Sequence, residues 1–233
     1  MKARRWLVIS TVCMFVVAVM AIVSPAHAQE AAAGPPQGGL VKLKLELPHP
    51  MFNGTPKNIN SLNLEKAGTK RDPIMVPADV TNVALNKPVT SSDKAPIIGE
   101  LEQVTDGDKE GADGSFVELG PDPQWVQIDL GAEHEIFAIA MWHYHSQARV
   151  YHDVVVQTAD DADFIDNVQT VFNNDHDNTS GLGVGKDKEY IETNEGRPMD
   201  AKGVKGRYVR LYSKGSTSND MNHYIEVEVY GRP

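Results

Sequence analysis

The sequence predicts an all-β domain, either a sandwich or a barrel, in the part of the chain that follows residue 80. Apolar runs in this part are short, and Gly, Asp, Asn and Pro interrupt them at close intervals. Several runs alternate between apolar and polar residues, while helical periodicity is almost absent, which is typical of strands joined by polar turns. The pattern predicts six strands, at residues 124–130, 136–142, 153–158, 169–172, 208–212 and 224–230.

The first two of these segments carry the strongest strand signal. Residues 124–131 read QWVQIDLG, and Gly131 can end the strand because glycine turns freely. Residues 136–142 alternate more strictly, and a short polar joint, AEHE, separates the two runs. We therefore expect two adjacent antiparallel strands.

The N-terminal 28 residues have the pattern of a secretory signal peptide. Three basic residues within the first five precede an apolar run at 6–23 and an A-H-A triplet at 26–28. This order predicts export to the periplasm or the extracellular space, with cleavage between Ala28 and Gln29. The alternative is an uncleaved membrane anchor, for which the run is short.

Cysteine usage and net charge limit the chemistry of the exported chain. The single cysteine, Cys13, lies in the predicted signal peptide, so we expect no disulfide, thiol nucleophile or cysteine-bound metal after cleavage. Lys and Arg number 22 against 32 Asp and Glu, and loss of the three basic signal residues changes the formal charge from −10 to −13 (19 − 32). Such acidity argues against nucleic acid or an anionic membrane as partner, and it suits binding of a hard cation.

Residues 29–80 are predicted to form an arm that precedes the domain at 81–233. The segment 29–39 is rich in Gly and Pro and is typical of a flexible tether. Residues 41–47, VKLKLEL, alternate strictly and predict an edge strand that pairs in its own domain or with a partner. The segment 48–80 has five prolines and predicts either an extended wrap against the domain or a linker.

Six segments between residues 82 and 231 carry a further signal in their order and spacing. They read NVALNKPVTSS (82–92), VTDGD (104–108), QWVQIDLG (124–131), RVYHDVVVQTADD (149–161), GRYVRL (206–211) and IEVEVYG (225–231). In this order they resemble the discoidin domain, also called the coagulation factor 5/8 C-type or galactose-binding-like domain. The resemblance implies an eight-stranded antiparallel jelly-roll β-sandwich. It also implies a mostly non-enzymatic family that binds glycans, phospholipid head groups or proteins through loops at one end.

The resemblance further implies a structural calcium ion. Calcium takes six to eight oxygen ligands from carboxylates and carbonyls, and Gly107 allows a tight turn that brings such oxygens together. The segment DGSFVE at 113–118 departs from the family pattern, which has a Thr and a Trp-Ser pair there. The alternative to a calcium site is an ordinary turn at Asp106 together with a Glu226 side chain that faces solvent. The implied ligands are Gln103, Asp106, Asp108, Ser115, Ile225 and Glu226.

Three polar segments are candidates for ligand binding: 142–153 (WHYHSQARVYHD), 173–187 and 216–223 (STSNDMNH). The loops of a sandwich gather at its two ends, so side chains from these segments can converge, and His, Arg, Asn and Asp suit sugar hydroxyl groups. The alternative is ordinary solvated turn chemistry. For the arginine, the alternative is a structural ion pair with Asp153 or with another acid at the edge of the core. The candidate ligand-binding residues are His143, His145, Arg149, Tyr151, Asp175, His176, Asn219 and His223.

A zinc site is a competing explanation for the histidines. His143 and His145 share a direction if the strand continues through both, and His152, Asp175, His176 or Asp177 could supply a third ligand. Histidines at a loop mouth also form ordinary hydrogen bonds.

The residues favour binding over catalysis. Neither a nucleophile elbow nor an H-E-x-x-H motif is present, and Asp175 and Asp177 lie too close together in a loop for a glycosidase pair. We therefore expect a secreted, non-catalytic carbohydrate-binding module that engages cell-surface or environmental glycans. The alternative is a protein-docking or assembly domain.

Overall fold

The structure, a computed structural model, describes residues 39–52, 56, 58–59 and 61–233. The predicted signal peptide and most of the predicted tether lie outside these residues. No helix in the described part of the chain is long and apolar enough to cross a membrane. A short 3₁₀ helix spans Leu101–Thr105. The strands are β1 Leu40–Lys42, β2 Met75–Pro77, β3 Thr81–Asn82, β4 Val89–Ser91, β5 Val117–Leu119, β6 Gln124–His143, β7 Val155–Ala159, β8 Gln169–Asn173, β9 Arg197–Ser213 and β10 Asn222–Arg232.

Eight strands form one antiparallel hydrogen-bonded system. Its order is β3-β10-β6-β9-β7-β8, with β4 paired to β6 and β5 paired to β10. Antiparallel pairing throughout, with long-range connections between neighbours, is the topology of a β-sandwich. The predicted eight-stranded antiparallel class is therefore confirmed.

The prediction of two adjacent strands at 124–130 and 136–142 is wrong, because both segments belong to the single strand β6. The register with β9 shifts between Asp129 and His134, and Gly131 has φ +86°. This irregularity bends the strand without ending it. The first half of β6 lies between β4 and β9, and the second half lies between β10 and β9, so the strand passes from one layer to the other.

The main core lies between the layers and follows the alternation in β6. Val126, Ile128 and Leu130 are at most 1% exposed, and burial of each such side chain contributes about 1.5–3 kcal/mol. A second apolar cluster contains Phe116, Ala140, Trp142 and Ile225, and Leu45 of the arm packs against it.

The arm pairs with itself and also contacts the sandwich. Strand β1 has three residues and pairs with β2, and Leu43 N donates to Ile74 O over 2.9 Å. The strand therefore covers only the start of the predicted segment 41–47. Between β1 and β2 the arm meets the sandwich at Glu65, whose N donates to Glu189 O over 2.8 Å.

Candidate functional site

Three of the predicted ligand residues form a connected row where β6 and β10 meet the loop before β7. His143 is the last residue of β6, and its ring stacks on Tyr151 with centroids 4.2 Å apart. The Tyr151 hydroxyl lies 2.9 Å from His223 Nδ1, and His223 Nε2 lies 2.9 Å from Glu118 Oε2. The row joins β6, the 144–154 loop, β10 and β5.

The electrostatics of this row keep His223 neutral. Burial, together with the nearby Arg149 and His143, lowers the pKa of His223 to about 4. Burial also raises the pKa of Tyr151, so its hydroxyl keeps its proton. The neutral imidazole accepts a hydrogen bond from the Tyr151 hydroxyl at Nδ1, and its Nε2–H donates to Glu118. The row is therefore a fixed chain of donors and acceptors.

Arg149 packs beside the row, with its guanidinium carbon 4.6 Å from the ring centroid of Tyr144. Only 5% of Arg149 is exposed, and its Nε has no hydrogen-bond partner in the described part of the chain. The alternative pair with Asp153 does not form, because Asp153 Oδ2 lies 3.7 Å from Lys214 Nζ. Cation–π contact with Tyr144 therefore holds the guanidinium at this end of the sandwich.

Sequence reasoning missed two carboxylates in this cluster. Glu118 binds His223, and Glu192 Oε1 lies 2.7 Å from His143 Nδ1 with both side chains fully buried. Glu192 Oε2 and His143 Nε2 have no hydrogen-bond partner among the described residues. No local pattern marks either glutamate, because each lies far along the chain from its histidine.

The other predicted ligand residues do not join this cluster. His145 is buried with Nε2 2.9 Å from Lys109 O, and Asp175 is buried in another loop. His176 is exposed. Asn219 lies in the turn beside Tyr151, but its side-chain oxygen accepts from Met221 N over 3.2 Å.

The two histidines of the zinc hypothesis do not share a ligand position. Strand β6 ends at His143, so the alternation that would align His145 stops there. Among the described residues, one group of His, Asp or Glu side chains has ligand atoms within 4.8 Å of one another: Asp153, Asp175 and Asp177. It contains neither histidine.

The positions of these three acidic side chains are mostly explained by hydrogen bonds to the loop that contains Asp175 and Asp177. Asp175 accepts from Thr179 N over 3.1 Å and from Ser180 N over 2.9 Å. Asp153 accepts from the Thr179 hydroxyl over 2.5 Å, and burial raises the pKa of Asp153. The three carboxylates therefore brace the loop against the start of β7.

The segments predicted to hold calcium meet through two hydrogen bonds. Gly107 N donates to Glu226 Oε2 over 3.1 Å, which joins the Asp106 turn to β10. Gln103 Nε2 donates to Gly114 O over 2.8 Å, which joins the 3₁₀ helix to the residue before Ser115. Asp108 flanks the same turn, and Ile225 precedes Glu226 in β10.

The carboxyl group of Glu226 fits a bound cation. The residue is 0% exposed, and its Oε1 has no hydrogen-bond partner in the described part of the chain. Burial, together with the nearby Glu228 and Asp106, raises the pKa of Glu226 to about 9. A buried carboxylate beside a second carboxylate requires either a proton or a cation. The alternative of a solvent-facing Glu226 is therefore wrong.

Comparison with known proteins gives a family match for part of the chain. Residues 103–211 match the family model of the F5/F8 type C group described as the NedA-like, galactose-binding domain. No curated protein sequence matches the chain. The matched residues include His143, Arg149 and Tyr151, whereas His223 follows them.

Solved structures similar to this chain include two isolated modules and one larger enzyme. A fucose-binding module from Streptococcus pneumoniae is 22% identical, with 64% of this chain and 97% of that chain covered and a TM-score of 0.46. Chitosan-binding module 1 of a chitosanase/glucanase from Paenibacillus sp. IK-5 is also 22% identical, with coverages of 65% and 99% and a TM-score of 0.42. A family 89 glycoside hydrolase from Clostridium perfringens is 17% identical, with coverages of 65% and 14% and a TM-score of 0.48.

Proposed function

We propose that the protein is an exported, non-catalytic glycan-binding protein that engages cell-surface or environmental glycans through the loop end described above. The family match to a galactose-binding domain is the observation that carries this function. The convergence of His143, Arg149, Tyr151 and His223 at one end of the sandwich supports the position of the site.

The four converging side chains form the floor of the proposed site, because each is at most 5% exposed. They hold Tyr144 and the loop that follows it. The ligand contacts the outer edge of the loops above these side chains, which we call the rim. A cavity of about 460 Å³ opens at this rim between Ala148, Thr217 and Ser218 and the arm residues Asn58 and Ile59. Its volume falls in the range of about 300–1,000 Å³ that is usual for small-ligand sites.

Calcium has a structural role in this proposal. Glu226 and Asp106 supply carboxylate oxygens, and the turn around Gly107 brings them together. When bound, the ion neutralises the buried carboxylate and ties the turn after the 3₁₀ helix to β10. Ser115 remains the least supported of the predicted ligands, because its N donates to Ala112 O and no contact links its side chain to Glu226.

The experiment that tests the proposed site is a glycan array followed by isothermal titration calorimetry, both with calcium present. We expect binding to galactose-containing glycans. Ala148→Trp should fill the cavity and weaken binding by tenfold or more (about 1.4 kcal/mol). Val184→Trp is the matched control, because Val184 is 67% exposed and does not line this cavity. Absence of binding across the array, or equal loss in both variants, would contradict the proposal.

Protein docking is a second candidate function, and the exposed strand β1 favours it. Leu40 and Val41 are 63% and 45% exposed, and Met75 of the neighbouring strand is 46% exposed. An exposed short strand with apolar side chains can accept a strand from a partner. If this function is correct, Val41→Lys abolishes an assembly detected by analytical ultracentrifugation and leaves glycan binding unchanged.

A further inference from the structure

A second cavity lies between the arm and the segment 191–198, separate from the loop-end site. Its volume is about 710 Å³, and it shares no lining residue with the loop-end cavity. The arm residues that form one wall precede the matched residues 103–211. This cavity, which we call the arm cleft, therefore depends on a part of the chain outside the family match.

The walls of the arm cleft are fixed by ion pairs. Glu65 Oε1 accepts from Arg71 over 2.7 Å, and Glu65 Oε2 accepts from Arg197 at the start of β9 over 3.2 Å. Both guanidinium groups also lie over the ring of Tyr190, at 5.7 and 4.7 Å. Across the cleft, Asn194 Nδ2 donates to Pro48 O over 2.9 Å. A cleft braced in this way is preformed, as ligand sites usually are.

The lining of the arm cleft combines apolar side chains with charged groups. Leu43, Leu45, Phe52, Ile74 and Ile191 supply the apolar part, and each is half-buried. Such a surface suits a ligand with apolar faces, for example the C–H faces of sugar rings packed against aliphatic and aromatic side chains.

The charge of the arm cleft is opposite to that of the whole chain. Its lining includes Lys42, Lys66, Lys70 and Arg71 against Glu65, Asp72 and Glu195. Cations therefore exceed acids by one here (4 − 3), whereas in the whole chain 32 acids exceed 22 cations.

The three lysines of the arm cleft have no ion-pair partner among the residues that the structure describes. Lys42, Lys66 and Lys70 are exposed, and the lysine ion pairs in the described part of the chain involve Lys109, Lys205 and Lys214 instead. Three ammonium groups around an apolar lining can bind carboxylate or sulfate groups on one ligand. At physiological salt the Debye length is about 8 Å, so the acids elsewhere on the chain are largely screened from such a ligand.

We propose that the arm cleft binds an anionic polysaccharide, whose carboxylate or sulfate groups meet Lys42, Lys66 and Lys70 while its sugar rings pack on the apolar lining. This site is independent of the proposed loop-end site, because the two share no residue. The arm then has a binding role of its own and supplies most of the cleft.

The test compares polygalacturonate, dextran sulfate and unmodified dextran by calorimetry with the purified protein at about 150 mM salt, where the Debye length is about 8 Å. We expect one or both anionic polymers to bind and unmodified dextran not to bind. Binding of polygalacturonate indicates carboxylate recognition, and binding of dextran sulfate indicates sulfate recognition. The variant Lys42→Gln/Lys66→Gln/Lys70→Gln should bind about tenfold more weakly, the combined effect of three exposed ion pairs. The control Lys94→Gln/Lys186→Gln/Lys205→Gln removes the same charge from exposed positions outside the cleft and should bind within about twofold of the original chain.

Three results would overturn the proposal: no binding of either anionic polymer, equal binding of unmodified dextran, or equal weakening in both triple variants. Ala148→Trp separates the two sites. It should leave the anionic polymers bound while it removes galactose-containing glycans, and loss of the anionic polymers in this variant would assign them to the loop end instead.

Discussion

Glu226 carries a fully buried carboxyl group with one oxygen that has no hydrogen-bond partner among the described residues. Burial raises its pKa from 4.5 to about 9 in the folded chain. Between these two values the folded state binds a proton that the unfolded state has lost. The free energy of unfolding therefore falls as the pH rises through this window, and a bound cation would remove much of this pH dependence.

At the scale of this residue, we predict that Glu226→Gln stabilises the ion-free protein at pH 8 and has little effect at pH 4. In chelator at pH 8 its Tm should rise by about 4 °C or more, since each kcal/mol corresponds to about 2–4 °C for a chain of this size. For the original chain, calcium at about a hundredfold excess over its Kd should add about 2.7 kcal/mol. The glutamine variant should not respond to calcium.

Thermal melts with calcium and with chelator, at pH 4 and pH 8, check this prediction. Glu102→Gln is the control, because Glu102 is an exposed acid in the 3₁₀ helix at 101–105 and its loss changes the net charge equally. A Tm of the original chain that depends on neither calcium nor pH across this range would contradict the prediction.

At the scale of an element, a histidine–glutamate pair supports one of the points where the arm docks on the sandwich. The backbone of Glu189 accepts from Glu65 N over 2.8 Å and donates to Asn63 O over 3.2 Å. The side chain of Glu189 is held by His152, with Nδ1 2.7 Å from Oε1. The hydrogen bond that His152 donates to Glu189 raises the pKa of His152 above 6.5, although burial opposes this shift.

The sign of this shift predicts that the arm opens more often at higher pH. The stability that protonated His152 contributes through Glu189 is fully present below pH 6.5. It is lost as the pH rises through the raised pKa of His152. The protection factors of the Glu65 and Glu189 amides in hydrogen exchange, corrected for intrinsic rates, should therefore fall between pH 6 and pH 9. The fall should be about tenfold for each unit by which the folded pKa exceeds 6.5.

His152→Gln should remove this pH dependence and lower the protection at pH 6. Amides in the β6–β9 ladder serve as the internal reference, because they do not depend on the arm. Protection of Glu65 and Glu189 that stays constant from pH 6 to pH 9 in the original chain would exclude the mechanism.

At the scale of the whole molecule, β6 and β9 belong to both layers of the sandwich. The first half of β6 pairs with residues 208–213 of β9, and the second half pairs with residues 197–206. Neither layer can separate without breaking one of these continuous ladders. We therefore predict that the sandwich unfolds in a single cooperative transition.

Two tryptophans report on the two halves separately. Trp125 lies in the first half of β6 and Trp142 in the second, and the third tryptophan, Trp6, lies in the predicted signal peptide. In urea, the fluorescence midpoint of Trp125→Phe should equal its circular-dichroism midpoint, and the same should hold for Trp142→Phe. Different midpoints within one variant would mean that the layers unfold separately.

The predicted fold and the predicted site differ in how far local pattern determines them. Alternation located most of the strands, since the inward residues of each strand recur every second position. It did not show that β6 is continuous, because Gly131 and the polar residues after it are equally typical of a turn. The cluster of His143, Arg149, Tyr151 and His223 was predicted only as residues that can converge. Their partners Glu118 and Glu192 were not predicted, because the pairing depends on distant segments.

The sequence by itself determined the all-β class, most of the strand positions, the acidity of the chain and the residue types of the loop end. These properties depend on local periodicity and composition, which are present in the chain before it folds. The tertiary structure alone decided that Leu45 covers the outer cluster at Trp142, that Glu226 is buried, and that the arm encloses a cleft. The physical reason is that burial and pKa depend on which distant segments exclude water from a side chain, and no local pattern specifies those segments.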